Sequence, residues 1–244
     1  MTVILVRHGR STANTSGVLA GRTEGIGLDA HGVSQAGALP GRLTEVLEDL
    51  TAVVRSPLQR CAETVAPLIT QLGQRAGGAA PEVVDERVVE VDYGDWSNRP
   101  LRDLASEPLW KTVQQHPAAA VFPGGEGLAE VSRRATTAVR ALDKLYGGDD
   151  GGRPWLLCSH GDVLKAILAD ALGMHLDAFQ RIVVDPASIS VVHYGTARPQ
   201  VLTVNNVGAL TLPRRPAQAA TVGGSTGTAC VSSSAGTVEA TIGE

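Results

Sequence analysis

Arg7-His8-Gly9 stands at the end of the apolar run Thr2-Val3-Ile4-Leu5-Val6, and the arrangement returns where Pro154-Trp155-Leu156-Leu157-Cys158 runs into Ser159-His160-Gly161. Short apolar runs bounded by loop residues read as buried strands. Open α/β sheets bind ligands just beyond the carboxyl ends of such strands. Two strands that each deliver a histidine followed by glycine predict one site built from two distant chain segments. Two imidazoles and an arginine suit a phosphate-handling centre.

The pattern between and beyond these strands alternates. A glycine-rich loop through Gly17, Gly21, Gly25 and Gly27 follows the first strand. His31 to Leu50 places Val33, Ala36, Leu39, Leu43, Val46 and Leu47 near helical spacing and reads as a helix, with Pro40 as its weak point. Ala52-Val53-Val54 and Glu82-Val83-Val84 read as short strands. Ser56-Pro57-Leu58-Gln59 reads as a helix start, serine at N-cap, proline at N1 and glutamine at N3, the helix running to about Leu72. Helices are expected over Gly127 to Tyr146 and Asp162 to Leu172, and closing strands over Ala187 to Tyr194 and Gln200 to Val204. Strands separated by helices predict an α/β fold with a mostly parallel sheet covered on both faces.

Two segments depart from this rhythm. Residues 91–125 carry Trp96, Pro100, Pro108, Trp110, Pro117 and Pro123 and read as an insert of short helices that roofs the site. From Pro213 onward Thr, Ser, Gly and Ala dominate without periodicity, so 213–244 reads as a flexible low-complexity tail that buries too little apolar surface to offset its ordering entropy. The folded domain is expected over 1–210.

A net charge of −4 argues against a broad nucleic-acid-binding surface, so an anionic small substrate would need a local cationic pocket. No run of apolar residues is long enough to span a membrane, and Met-Thr-Val opens directly into the first strand, so the cytosol is the expected compartment. Cys61, Cys158 and Cys230 form neither a metal pattern nor a disulfide framework. His31, His116, His175 and His193 lack paired ligand spacing, so neither a metal nor a cofactor is expected. His116, in the roof, is a candidate substrate contact.

Five motifs in order resemble the histidine phosphatase superfamily, which includes cofactor-dependent phosphoglycerate mutase and many acid phosphatases: Arg7-His8-Gly9 with Asn14; Ser56-Pro57-Leu58-Gln59-Arg60 with Thr64; Glu90 through Trp96; Pro123-Gly124-Gly125-Glu126; and Ser159-His160-Gly161. The resemblance covers roughly residues 1 to 210 and implies a three-layer αβα sandwich, phosphoglycerate mutase-like. It implies His8 as the nucleophile that takes the phosphoryl group, splitting one displacement into two. Arg7, Arg60 and His160 become the phosphate clamp, with Asn14 and Gly161 also binding phosphate, because guanidinium forks match phosphate oxygens at any working pH. Glu90 becomes the general acid and base, in preference to Glu86 and Asp92.

The remaining residues receive plainer expectations. Gly9 would let the backbone turn sharply towards the anion. Ser159 would make a local hydrogen bond. Asp162, an awkward neighbour for an anion, would cap its helix or face away, and Trp96 and Phe122 would line the cleft or fill the core. Glu126 with Arg133 and Arg134 would form a salt-linked helix end. Asp29 stands where the family commonly has threonine, and Asn205-Asn206-Val207-Gly208 replaces a usual histidine.

The segment Tyr93 to Arg99 is more similar to the phosphatase branch than to the mutase branch, and the longer mutase-type insert is missing. Hydrolysis of small phosphomonoesters is the expected activity. Phosphoglycerate mutase activity is the alternative, and an inactive phosphate-binding regulatory protein is the alternative of another class. The expected partner is a small phosphate ester, and the resemblance allows a homodimer.

Overall fold

Thr2–Arg7 forms β1, whose alternate residues serve two different cores: Val3 and Leu5 point to one face of a sheet and Ile4 and Val6 to the other. All four are fully buried, so the strand is covered on both sides. In the computed structural model, residues 2–75, 78–147, 153–195 and 198–212 are described; the tail expected over 213–244 lies outside the described residues. The further elements are α1 (Thr12–Ser16), α2 (Ala30–Arg42), β2 (Val53–Arg55), α3 (Gln59–Leu72), β3 (Glu82–Val84), α4 (Leu101–Leu104), α5 (Pro108–Gln115), α6 (Leu128–Tyr146), β4 (Pro154–Ser159), α7 (Gly161–Ala171), β5 (Ile189–Tyr194) and β6 (Pro199–Asn206).

The strands form one sheet in the order β3-β2-β4-β1-β5-β6. β1, β2, β3 and β4 pair in parallel, and β5 runs antiparallel to both its neighbours. Buried residues of α6 and α7 share a core with Val3, Leu5, Trp155 and Leu157. Those of α2 and α3 share the opposite core with Ile4, Val6, Leu156 and Cys158. Helix, sheet, helix: the expected αβα sandwich is the fold observed. Trp155 is fully buried, and its indole Nε1–H donates to Asp143 Oδ1 at 2.9 Å, which satisfies a buried carboxylate.

Two helix boundaries differ from expectation. α2 ends at Arg42 rather than Leu50, with Pro40 in its last turn and Leu43 N–H bonded to the Pro40 carbonyl. Leu43, Val46, Leu47 and Leu50 are nevertheless buried, so the apolar spacing outlasts the helix through turns and a 3-10 segment. The other is α3, which begins at Gln59 after Leu58, leaving Ser56 outside the helix. Asp29 caps α2 by accepting from Gly32 N–H at 2.8 Å and also pairs with Arg10 at 2.6 Å. The Thr15 hydroxyl, and then the Gly32 amide, hold the Asp29 carboxyl down at about 2.

The segment after β3 folds over the sheet end as α4, α5 and 3-10 turns at Gly94–Trp96 and Pro117–Ala119. Backbone bonds tie it to the loop after α1: Leu19 N–H to Arg99 O, Asn98 N–H to Leu19 O, and Leu101 N–H to Gly17 O. Asp177 anchors its far side by accepting from Ala118 N–H at 2.9 Å. Gly94 has φ +50°, and a Cβ there would collide with the Pro123 carbonyl oxygen.

Candidate active site

β1 and β4 are adjacent and in parallel register, Arg7 opposite Ser159, so the residues that follow each strand emerge side by side. His8 N–H bonds the Ser159 carbonyl at 3.0 Å, and the His8 and His160 rings lie 5.2 Å apart between centroids. The two histidine motifs therefore meet at the carboxyl edge of the sheet.

His8 is 3% exposed. Its Nδ1 lies 2.7 Å from the Gly9 carbonyl oxygen, an acceptor, so Nδ1 carries the proton and Nε2 presents a lone pair. Burial, followed by the Arg60 and Arg7 guanidinium charges, pushes this imidazole well below the ordinary histidine range. It is neutral near pH 7. The Gly9 N–H donates to Thr64 Oγ1 at 2.9 Å, and its Cα packs against the Gly32 backbone, where a Cβ would stand 2.9 Å from Gly32 O.

Arg7 and Arg60 approach from β1 and the first turn of α3. Arg7 donates from Nη1 to Val184 O at 2.7 Å and lies against Gly161, the first residue of α7. Arg60, 2% exposed, donates from Nη2 to Gly21 O at 2.8 Å. Three buried nitrogens, Arg7 Nε, Arg60 Nη1 and His160 Nδ1, have no hydrogen-bond partner among the described residues. Buried donors without acceptors are costly, and here they belong to three residues that surround one imidazole.

His160 caps α7 and is fully buried. Its Nε2 lies 2.7 Å from Ser56 Oγ, so Ser56 is the partner of this imidazole and not the helix cap expected of it. Burial, and then Arg60, pushes His160 well below its ordinary range. Glu90 Oε2 lies 3.8 Å from His160 Nδ1, and its Oε1 accepts from Val91 N–H at 2.9 Å. Burial, helped by the Asp162 charge, raises the Glu90 carboxyl to about 7. Asn14 commits its Oδ1 to Ser11 N–H and Oγ–H, which leaves the amide NH₂ as the group it can offer.

These side chains open onto a cavity of about 320 Å³ lined by Arg7, His8, Asn14, Arg60, Glu90 and Gly161 at one end. His160 stands behind them. Trp96 and Phe122 line the cavity while remaining buried, filling both roles considered for them. Asp162 does not face away: it lines the cavity, and its Oδ2 accepts from the Tyr93 hydroxyl at 2.8 Å. His116 is exposed and does not line the cavity. Ser159 makes its local bond, donating from Oγ to Val88 O at 2.8 Å.

Some contributors escaped the sequence reading. Gln114, Lys165 and Gln180 line the far end of the cavity. Lys165 follows Asp162 by one helical turn, a spacing that could have flagged it. Arg22 Nε and Arg134 Nη2 both donate to the Glu90 carbonyl oxygen, at 2.9 and 3.1 Å, and both guanidinium groups hold Glu126 Oε1, at 2.8 and 2.6 Å. Glu126 is thus more than a helix-end ion pair. It is the hub of a clamp on the backbone of Glu90.

Among the described residues, no helix is long and apolar enough to cross a membrane. Comparison with known proteins places the chain in a family. The family model of the histidine phosphatase superfamily (branch 1) matches residues 3–207. The chain is 30% identical over 210 residues to the Bifunctional protein Rv2228c of Mycobacterium tuberculosis, covering 85% of this chain, but it spans only 54% of that protein's length. It is 29% identical over 210 residues to Phosphoserine phosphatase 1 of Hydrogenobacter thermophilus, covering 83% of this chain and 91% of that one. The solved structure of the α-ribazole phosphatase of Shigella flexneri superposes with a TM-score of 0.72 at 25% identity, covering 87% of this chain and all of that one. With the motifs, the fold and the match over nearly its whole described length in agreement, the chain belongs to the histidine phosphatase superfamily, whose members are phosphatases or mutases.

Proposed function

We propose that the chain is a phosphatase that hydrolyses small phosphomonoesters through a phosphohistidine on His8. The phosphoryl group is held by Arg7, Arg60, Asn14, His160 and the N-terminal turn of α7 at Gly161. His8 Nε2 attacks phosphorus as the ester P–O bond breaks, and protonated Glu90 gives its proton to the departing alkoxide oxygen. Glu90, now ionised, takes a proton from water as that oxygen attacks phosphorus. The N–P bond breaks, inorganic phosphate leaves, and His8 and protonated Glu90 are restored. Fixed cations stabilise the transferring group throughout, which is most of what phosphoryl transfer asks of a protein.

The observation that carries this reading is the trio of buried, unpartnered nitrogens, Arg7 Nε, Arg60 Nη1 and His160 Nδ1, the first two of them obligatory donors, around a neutral imidazole. A dianionic phosphoryl group supplies the acceptors they lack. The phosphatase names of the relatives support the same direction.

A His8→Ala variant is expected to keep its fold by circular dichroism and to lose hydrolysis of p-nitrophenyl phosphate. Rapid quenching of the wild type should trap an acid-labile, base-stable phosphoenzyme that the variant does not form. Undiminished turnover by His8→Ala would refute the mechanism. Efficient conversion of 3-phosphoglycerate to 2-phosphoglycerate, primed by 2,3-bisphosphoglycerate, would assign a mutase instead.

A further inference from the structure

Apart from the residues that hold the phosphate, the cavity is lined by apolar side chains, among them Leu19, Leu101, Trp110, Val113 and Phe122. Trp110 is half-buried and stacks on Trp96 with ring centroids 6.2 Å apart and planes at 27°. Two charged groups face this space, and they answer each other: Lys165 Nζ lies 3.6 Å from Asp162 Oδ1, while Asp162 Oδ2 is held by Tyr93. Lys165 also donates to Gln180 Oε1 at 3.1 Å, and Gln180 Nε2 to Val113 O at 3.4 Å. Gln114 is the neutral polar group that remains at the rim.

The neighbouring cations are committed elsewhere. Arg22 pairs with Glu126 at 2.8 Å, Arg99 with Glu107 at 2.6 Å and Arg10 with Asp29 at 2.6 Å, and none of the three lines the cavity. The lining cations are Arg7 and Arg60, which serve the phosphate, and Lys165, which is paired with Asp162, so a carboxylate or second phosphate entering beside Asp162 would shed water without an unpaired lining cation left to receive it. An ammonium group would meet an aspartate whose charge Lys165 already answers at 3.6 Å. An uncharged, mainly apolar group instead gains burial against the aromatic wall.

Resting on the phosphatase reading, we infer that this apolar lining selects phosphomonoesters of an uncharged, apolar alcohol, an aryl or heteroaryl group lying along Trp110 with a polar edge at Gln114. Esters that carry a second anionic group are rejected. Trp110 and the closed Asp162–Lys165 pair are the specificity-determining elements.

The test compares kcat/KM for benzyl phosphate, glycerol 3-phosphate, 3-phosphoglycerate and phosphocholine. All are esters of primary alkyl alcohols, so differences in leaving-group reactivity are kept small. The wild type should prefer benzyl phosphate over 3-phosphoglycerate by at least about tenfold. Trp110→Ala should shrink that ratio chiefly through a higher KM for benzyl phosphate, and Trp110→Phe should restore part of it. Gln114→Arg, a change at the exposed rim, should raise activity on 3-phosphoglycerate several-fold. Equal or better turnover of 3-phosphoglycerate or phosphocholine by the wild type overturns the inference while leaving the phosphatase reading intact. Failure to hydrolyse any of the four, with wild type and His8→Ala indistinguishable, overturns both.

Discussion

Ser56 Oγ lies 2.7 Å from Nε2 of His160, and this hydroxyl orients a fully buried imidazole whose other nitrogen faces Glu90. Removing the hydroxyl leaves Nε2 without an oxygen partner, since among the described residues its other hydrogen-bonding neighbour is the Cys61 thiol at 3.6 Å. Ser56→Ala is therefore expected to lower kcat by about tenfold, within the range for stranding a buried polar group. Ser56→Thr, which keeps the oxygen, should recover part of the loss. Equal activity of the alanine variant and the wild type would remove Ser56 from the site.

The pH profile of kcat/KM reports the free enzyme. Glu90 must be protonated to release the alkoxide, and its carboxyl sits at about 7, so activity should hold below that value and fall as pH rises through it. His8 must be neutral, and its depressed basicity puts the acid limb well below the ordinary histidine value. Asp162 helps to raise Glu90, so Asp162→Asn should move the alkaline limb to lower pH. Glu90→Gln should erase that limb and cost about 10²–10⁴ in kcat. A limb unmoved by either substitution would assign it to another group.

Arg60 is a buried cation, and among the described residues its only protein acceptor is the Gly21 carbonyl. Replacing such a charge by an apolar side chain of similar size often leaves a protein as stable or more so. Arg60→Met is expected to match or exceed the wild-type melting temperature without phosphate. Inorganic phosphate at about 100 times its Kd should stabilise the wild type by about 2.7 kcal/mol and leave the variant nearly unmoved. Its kcat should fall by at least about 10². A full phosphate-induced shift in Arg60→Met would contradict the clamp.

Glu126 acts on Glu90 at one remove, through the two arginines that grip the Glu90 carbonyl oxygen. Glu126→Ala should lower kcat by roughly tenfold with little change in KM, because the carboxyl group is misplaced while the phosphate contacts persist. Glu126→Gln, which retains an acceptor oxygen, should fall between the two. A change confined to melting temperature would reduce Glu126 to a structural role.

The elements that could be read from sequence were those whose pattern and burial share a cause. β1 and β4 are uninterrupted apolar runs because both faces are covered, and the placement of their histidines follows from parallel pairing. The helix from residue 31 was read too long because Leu43, Val46, Leu47 and Leu50 stay buried in turns at spacings a helix would also produce. Ser56 carries a genuine cap signature and its Oγ still accepts from Leu58 N–H at 3.4 Å, yet its shorter contact, 2.7 Å, is to a residue far along the chain, and no local rule registers that distance. Asp162 was expected to avoid an anion site. Its charge is balanced by Tyr93 and Lys165, partners visible only once the roof and α7 are brought together.

The backbone bonds between the loop around Gly17–Leu19 and the segment Asn98–Leu101 join the stretch that follows the nucleophile motif to the canopy above it. Altering one without the other would break main-chain pairing, whereas His8 and His160 are placed by the pairing of β1 with β4. Because Arg60 donates to the Gly21 carbonyl and Arg22 to that of Glu90 just beyond this seam, a change that reshapes the canopy also reaches the groups that hold phosphorus and deliver its proton.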